Sequence, residues 1–355
     1  MTNTVVITAA GTGGHVFPGL AAAQYLQQKG CKVNWIGGNG MEVDLVPKYG
    51  IEFTAIPFSG VRGKGILKLF KAPFQLINAV SCAKKILKQI KPSLVLAMGG
   101  YISVPVGIAA KILGIPLIIH EQNAIAGMSN KLLNRIAKKS LLGFDGSLDK
   151  GIYTGNPIRE HFAPHKEISD VIKPRDDLKI LVIGGSLGAA ILNEVVPQAI
   201  QLIGTAKKIE IVHQSGKKHL QQLIQNYKKY SIKAHTVDFI DDMKAAYEWA
   251  DVVICRAGAM TISELATAGV PAILIPFPSA VDDHQTKNAQ VLAKAKAAWL
   301  VPQSQLTAQR LADILKNANS DKLRQMSLKA LLHSHQNATQ KVGDICIEVI
   351  NNAKA

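Results

Sequence analysis

Two glycine-rich turns and one histidine are the residues of this chain best suited, by type and spacing, to do chemistry. The first turn reads Gly11-Thr12-Gly13-Gly14-His15-Val16-Phe17-Pro18-Gly19, directly after the apolar run Val5-Val6-Ile7-Thr8. Clustered glycines let a chain turn sharply and let its backbone approach a ligand closely. They do not complete the dinucleotide fingerprint, because Val16 stands where that motif places its third glycine. No acid waits near position 30 for a ribose, where Gly30-Cys31-Lys32-Val33 stands, so a nicotinamide oxidoreductase is disfavoured. A histidine at a strand-to-helix turn faces the cleft at the carboxyl edge of a parallel sheet. An imidazole with an intrinsic pKa near ~6.5 suits a general base at neutral pH. A helix-capping role and a ligand contact fit His15 as well, and the local sequence leaves all three open.

The second turn, Gly184-Gly185-Ser186-Leu187-Gly188, follows Ile180-Leu181-Val182-Ile183. Further on, Cys255-Arg256-Ala257-Gly258-Ala259-Met260-Thr261-Ile262-Ser263-Glu264 follows another apolar strand. Gly258 opens a helix whose first amides and dipole suit a diphosphate. Glu264, about one turn in, fits either a carboxylate accepting both ribose hydroxyls or an acid complementing the helix dipole. The polar loop Asp282-Asp283-His284-Gln285-Thr286-Lys287-Asn288 suits reading sugar hydroxyls. There is no Asp-x-Asp pair and no Cys/His cluster. Neither a metal nor another cofactor is therefore expected, and helix amides with basic side chains must neutralise any diphosphate.

These turns need elements to hold them. Strand, glycine turn and a helical run over Leu20–Gln28 open the chain, and the same order recurs about 175 residues later with a helical run to about Leu202. Short apolar runs near 33–36, 53–56, 94–97, 116–119 and 139–142, then 209–213, 235–238, 252–254 and 272–275, alternate with helical stretches. That grammar is α/β: two Rossmann-like, doubly wound parallel-sheet domains in tandem. The 355 residues, 48% apolar, suffice for two cores. The polar segment 160–178 is the expected linker, and the tail from Gln336 is a helix with Val342, Ile345, Cys346, Val349 and Ile350 on one face. The run 92–119 carries a single charge, Lys111, but its glycines and prolines cut it into strand, turn, helix and strand rather than a membrane span. Four scattered cysteines fit a reducing compartment, and the first residues read as a strand, not a signal peptide.

Charge is concentrated. The chain carries +16, and the 68 residues between Glu52 and Glu121 hold no acid but Arg62, Lys64, Lys68, Lys71, Lys84, Lys85, Lys88, Lys91 and Lys111. Among them Ile66, Leu69, Phe70, Phe74, Ile77 and Val80 fall on one helical stripe. A basic-apolar segment over 62–91 is the pattern of a helix lying on an anionic membrane surface; a stripe packed into a core with solvated lysines is the other reading. Nucleic acid is disfavoured, since aromatics are 5% and no nucleic-acid motif is present.

Taken in order, Gly11–Gly19, Met98-Gly99-Gly100-Tyr101, His120-Glu121-Gln122-Asn123, Gly155-Asn156-Pro157-Ile158-Arg159, Gly184-Gly185-Ser186, His213-Gln214-Ser215-Gly216, Phe239-Ile240-Asp241-Asp242-Met243 and Cys255–Glu264 resemble, nearly end to end, the family of peptidoglycan N-acetylglucosaminyltransferases. The resemblance implies a GT-B fold with an interdomain cleft. It implies residues 1–160 as an acceptor- and membrane-associating domain, joined by a C-terminal helix 337–355, and 161–336 as a UDP-GlcNAc-binding domain. It further implies inverting transfer of GlcNAc from UDP-GlcNAc to the C4 hydroxyl of MurNAc in lipid I, an undecaprenyl-diphosphate-linked acceptor, at the cytoplasmic face of the inner membrane, as a peripheral enzyme. By resemblance the donor contacts are Thr12, Gly13, Gly14, Asn123, Arg159, Ser186, Ile240, Ala259, Met260, Thr261, Ile262, Ser263, Glu264 and Gln285, with His15 at the position of the proposed base and Glu121 another cleft group able to take the proton. Leu187 departs from the family's usual Gln, which removes a side-chain contact there and leaves the backbone cradle. Other GT-B members, such as a UDP-GlcNAc 2-epimerase or a diacylglycerol glycosyltransferase, are the nearest alternatives.

Overall fold

The computed structural model describes residues 2–58, 66–158, 177–185 and 188–353, with backbone alone for 66–71 and Val281. The chain divides into two compact units, residues 1–160 with 335–355, and residues 161–334. The first unit runs β1 (Thr4–Thr8), α1 (Gly13–Gln28), β2 (Lys32–Gly37), α2 (Glu42–Leu45), β3 (Glu52–Ala55), α3 (Ile66–Ile90), β4 (Leu94–Ala97), α4 (Ser103–Ile112), β5 (Leu117–Glu121), α5 (Met128–Leu133), β6 (Lys139–Leu142) and β7 (Ile152–Tyr153). The second runs β8 (Asp177–Ile183), α6 (Ala190–Ile203), β9 (Lys208–Gln214), α7 (Leu220–Lys229), β10 (His235–Val237), α8 (Met243–Trp249), β11 (Val252–Cys255), α9 (Ala259–Ala268), β12 (Ala272–Leu274), α10 (His284–Lys294), β13 (Ala298–Leu300), α11 (Ala308–Lys316) and α12 (Ser320–Leu331). A last helix, α13 (Ala338–Asn352), belongs to the first unit.

Each unit is built on one parallel sheet. The strand orders are β3-β2-β1-β4-β5-β6-β7 and β10-β9-β8-β11-β12-β13. Val5 pairs with Val33 on one side and Leu94 on the other, and Ile180 with Ile211 and Val252. The winding reverses at β1/β4 in the first sheet and at β8/β11 in the second. The central strands bury side chains on both faces, which is why they read as unbroken apolar runs.

Several sequence expectations change in detail. The first helix was expected from Leu20; it starts at Gly13, so Gly13, Gly14 and His15 form its first turn and Pro18 lies inside it. Pro18 has no N–H for the Gly14 carbonyl, so the helix forgoes that one bond near its start. β8 begins at Asp177, inside the expected linker, because its residues alternate between half-buried and buried and the main chain of Lys179 donates to the Asp251 carboxylate at 2.9 Å. The short strands β7 and β13 were not anticipated; two or three residues carry too little periodicity to register. The 92–119 run is β4, a Gly99-Gly100 turn, α4 and the start of β5, and among the described residues no helix is long and apolar enough to cross a membrane.

The stripe on α3 divides. Ala79, Ala83 and Leu87, on the face opposite Phe74, are buried against the sheet, and Val80 at the edge of the stripe packs beside them. Phe74 and Ile77 are 71% and 63% exposed. Arg62 and Lys64 lie outside the described residues.

Val342, Cys346, Val349 and Ile350 of α13 are buried in the core that Val5, Leu20, Trp35 and Leu96 form. At about 1.5–3 kcal/mol per buried aliphatic side chain, Val342, Val349 and Ile350 together contribute roughly as much as the ~5–15 kcal/mol by which a whole domain is stable. A chain ending at Asn337 is therefore expected to lose the cooperative unfolding of its first unit in thermal circular dichroism. An unchanged melting curve would refute this role for α13.

Candidate active site

In the first unit the site assembles where the winding reverses. Thr12 is the N-cap of α1, in extended conformation, and its side chain makes no capping bond. Its carbonyl accepts from His15 N–H (3.0 Å) and Val16 N–H (3.3 Å), so the amides of Gly13 and Gly14 head the helix as donors for a ligand. Gly100, at φ +79°, wraps Ala10 so closely that a Cβ would lie 2.4 Å from the Ala10 carbonyl oxygen. Gly99, at φ +96°, supplies the floor beneath His15: a Cβ there would lie 2.9 Å from Nδ1.

His15 Nδ1 lies 2.9 Å from Gln122 Oε1. The Gln122 amide nitrogen lies 3.1 Å from His120 Nδ1, and His120 Nε2 lies 3.1 Å from the Gly155 carbonyl oxygen. Burial pushes His120 down to about 4, so the ring is neutral. Glu121, the other group suited to take a proton, is buried and saturated. Its Oε1 accepts from the N–H (2.9 Å) and Nδ2 (3.1 Å) of Asn123, and its Oε2 from Gly127 N–H (3.0 Å) and Asn130 Nδ2 (2.8 Å). Four donors on one carboxylate make it the organiser of the 121–130 loop. Glu42, also buried, accepts from the N–H groups of Gly38 (3.1 Å), Gly40 (3.2 Å) and Gly11 (3.5 Å). It ties the turn after β2 to the glycine turn after β1. Burial and the nearby Glu42 raise the Tyr101 phenol above its ordinary value.

The second unit repeats the arrangement. Gly188 sits so near the Ser215 carbonyl oxygen that a Cβ would be 2.0 Å from it. Gln214, at the end of β9, bridges two expected site segments: its Nε2 donates to the Gly185 carbonyl (2.9 Å) and its Oε1 accepts from Ile240 N–H (3.3 Å). The N–H of Ile240 is thus engaged within the protein. Gly258 is the N-cap of α9 and brings no side-chain oxygen, so the first amides of that helix keep their capacity for an anion. Ala259 and Ile262 are buried, which leaves them backbone roles; Met260, Thr261, Ser263 and Glu264 are half-buried. Tyr247 donates to Glu264 Oε2 at 3.1 Å. Gln285 Oε1 accepts from Ala257 N–H (3.2 Å) and Phe277 N–H (2.9 Å), which turns its amide NH2 end to donate elsewhere. Arg256 is structural: its guanidinium donates to the Ile275, Pro276 and Gln303 oxygens and stacks on Phe277. His213 is held between Tyr227 and Asn193, and burial lowers it to about 3.

The structure therefore groups Thr12, Gly13, Gly14, His15 and Asn123 in one unit and Ile240, Ala259 to Glu264 and Gln285 in the other. Arg159 and Ser186 lie outside the described residues. Sequence reasoning did not assign roles to Gln122, Glu42, Gln214 or Tyr247. Gln122 had a signal, being two residues from His120 and so on the same side of an extended chain. Tyr247 had none, since it reaches Glu264 from another helix. Among the described residues no group of three or more His, Cys, Asp or Glu is placed to hold a metal ion.

Two reversal points, each floored by glycines and headed by helix amides, belong to a two-domain nucleotide-sugar enzyme, and comparison with known proteins gives the family. Residues 5–142 match the glycosyltransferase family 28 N-terminal domain and 179–342 the family 28 C-terminal domain. The chain is 46% identical over 351 residues to the UDP-N-acetylglucosamine--N-acetylmuramyl-(pentapeptide) pyrophosphoryl-undecaprenol N-acetylglucosamine transferase of Dechloromonas aromatica, covering 98% of this chain and 99% of that one. It is 47% identical to the protein of the same name from Cupriavidus pinatubonensis, covering 98% of each. The crystal structure of Acinetobacter baumannii MurG superposes with a TM-score of 0.81 at 39% identity, covering 97% and 98%. A UDP-N-acetylglucosamine 2-epimerase from Listeria monocytogenes shares the fold alone, at 12% identity and a TM-score of 0.68. The chain belongs to glycosyltransferase family 28, in the branch that these transferases form.

His120 and His213 give the fold a defined acid limit. Both are held below the ordinary 6.5 by burial. Between pH 6.5 and about 4 the unfolded chain binds protons that the folded chain does not. Stability is expected to fall as pH drops through that window, and denaturant titrations at pH 7.5, 6 and 5 measure it. Midpoints that stay level would contradict the neutral, buried state of both rings.

Proposed function

We propose that this protein transfers GlcNAc from UDP-GlcNAc to the C4 hydroxyl of the MurNAc unit of lipid I, with inversion, giving lipid II and UDP in peptidoglycan synthesis. The observation that carries the reading is the near-full-length identity of 46–47% to transferases named for that reaction. The site geometry supports the chemistry. A direct displacement needs a base on the attacking hydroxyl and charge neutralisation on the leaving diphosphate. His15 Nε2 takes the hydroxyl proton as the oxygen bonds to the anomeric carbon. The bond to the diphosphate breaks, and UDP leaves with the electron pair.

The amides heading α9 and those of the Gly184–Gly188 turn, with Arg159, bear the charge on UDP. Glu264, steadied by Tyr247, accepts the ribose hydroxyls, and the carbonyl of Ile240 meets uracil. Thr12, Gly13, Gly14, Asn123, Ser186 and Gln285 complete the donor contacts. The purified protein is expected to release UDP from UDP-GlcNAc only when lipid I is supplied. His15→Ala is expected to reduce kcat at least a hundredfold, within the ~10²–10⁴ range of general base catalysis, with little change in KM for UDP-GlcNAc. No UDP release in the presence of lipid I would overturn the activity; undiminished kcat in His15→Ala would remove His15 as base.

The acceptor's undecaprenyl tail stays in the bilayer, so the enzyme works as a peripheral protein at the cytoplasmic face of the inner membrane. We assign the contact to the 62–91 segment. Phe74 and Ile77 stand out from α3, and Lys85 and Lys88 are exposed on the same helix. Each aromatic or aliphatic insertion is worth about 1.5–3 kcal/mol and each basic residue near anionic lipid ~1 kcal/mol, so binding draws on both. Phe74→Ser with Ile77→Ser is expected to weaken sedimentation with anionic liposomes at least tenfold while UDP binding stays intact. Equal binding of wild type to neutral and anionic vesicles would remove the electrostatic part.

A further inference from the structure

The hydrogen bonds behind His15 form one chain of donors with a single direction. It ends on two main-chain carbonyls, and carbonyls only accept. The amide nitrogen of Gln122 lies 3.2 Å from the His120 carbonyl oxygen, so the NH2 end of that amide faces His120 and the Oε1 end faces His15. His120 Nε2 faces the Gly155 carbonyl, so its proton sits on Nε2 and its Nδ1 is the bare nitrogen that receives the Gln122 NH2. Gln122 Oε1 then demands a hydrogen from His15 Nδ1. The lone pair of His15 is thereby left on Nε2.

We propose that Gln122 and His120 are positioning residues that hold His15 in the Nδ1–H tautomer, so that Nε2 is the nitrogen able to accept a proton from the acceptor hydroxyl. The proposal rests on the reading of His15 as base and deepens it. The remaining contacts support a fixed relay. Gln122 and His120 are buried. Asn130 Nδ2 donates to the His120 carbonyl at 3.0 Å and Asn156 Nδ2 to the Gln122 carbonyl at 3.0 Å, which pins both main chains. The floor at Gly99 leaves no room beyond the ring. Because burial keeps His120 neutral, its Nδ1 stays an acceptor at physiological pH, and the amide of Gln122 has no reason to turn over. An imidazole free in water prefers the opposite tautomer modestly, so without Gln122 the lone pair of His15 would lie mostly on Nδ1, against Gly99.

The test combines spectroscopy with kinetics. In wild-type protein labelled with 15N-histidine, the His15 signal, assigned by its absence in His15→Ala, is expected to show the proton on Nδ1. A proton on Nε2 overturns the proposal whatever the activity. Gln122→Met, which keeps the shape and removes both hydrogen-bonding ends, is expected to shift His15 toward the Nε2–H form and to lower kcat at least tenfold, with KM for UDP-GlcNAc within twofold. A kcat within twofold of wild type overturns the proposal. His120→Asn, whose Oδ1 can replace Nδ1 as the acceptor for Gln122, is expected to keep more of kcat than His120→Leu; equal losses count against the relay. His15→Ala separates the two levels. If it retains turnover, the base reading fails; if it loses turnover while Gln122→Met does not, only the relay fails.

Discussion

Everything about this site follows from where a parallel sheet must part its connections. In each unit the winding leaves the first strand on one side and returns on the other, so the chain segments after β1 and β4, and after β8 and β11, diverge at the carboxyl ends of neighbouring strands. The gap exposes the starts of α1 and α9, whose first amides have no helical acceptor. Those amides serve an anion only if the turns before them carry no obstructing side chains. Gly11 before α1, Gly13 and Gly14 in its first turn, and Gly258 before α9 meet that condition.

Buried carboxylates and amides then convert a gap into a shaped site. Glu121 and Glu42 look like reactive groups by composition, yet each gathers backbone amides of its own loop. A buried carboxylate is costly unless donors surround it, and loops rich in glycine have unsatisfied N–H groups to offer. The two needs cancel. Gln214 plays the matching part in the second unit by joining the glycine turn to the loop that carries Ile240.

Much of this was legible in the linear chain. The two α/β units, the alternation of strands and helices, and the glycine turns that head α1 and α9 follow from patterns that span few residues. The division of the apolar stripe on α3 was not legible. Phe74 and Leu87 lie on different faces of the helix, both apolar, and only the position of the sheet decides that the face of Leu87 is buried and that of Phe74 left to solvent. Arg256 shows the same limit: a cation beside a phosphate-type turn invites a binding role, whereas the fold spends it on carbonyls of its own chain.

By itself, then, the sequence determined the fold class, the family likeness and the opening of α9 at Gly258, because each depends on local periodicity or on a short run of residue types. Tertiary structure alone decided which nitrogen of His15 carries its proton, which carboxylates are already occupied and which tyrosine steadies Glu264. Those outcomes depend on the meeting of groups such as His15 and Gln122, 107 positions apart, and a hydrogen bond's direction is set by the partner at its far end, which no local pattern specifies.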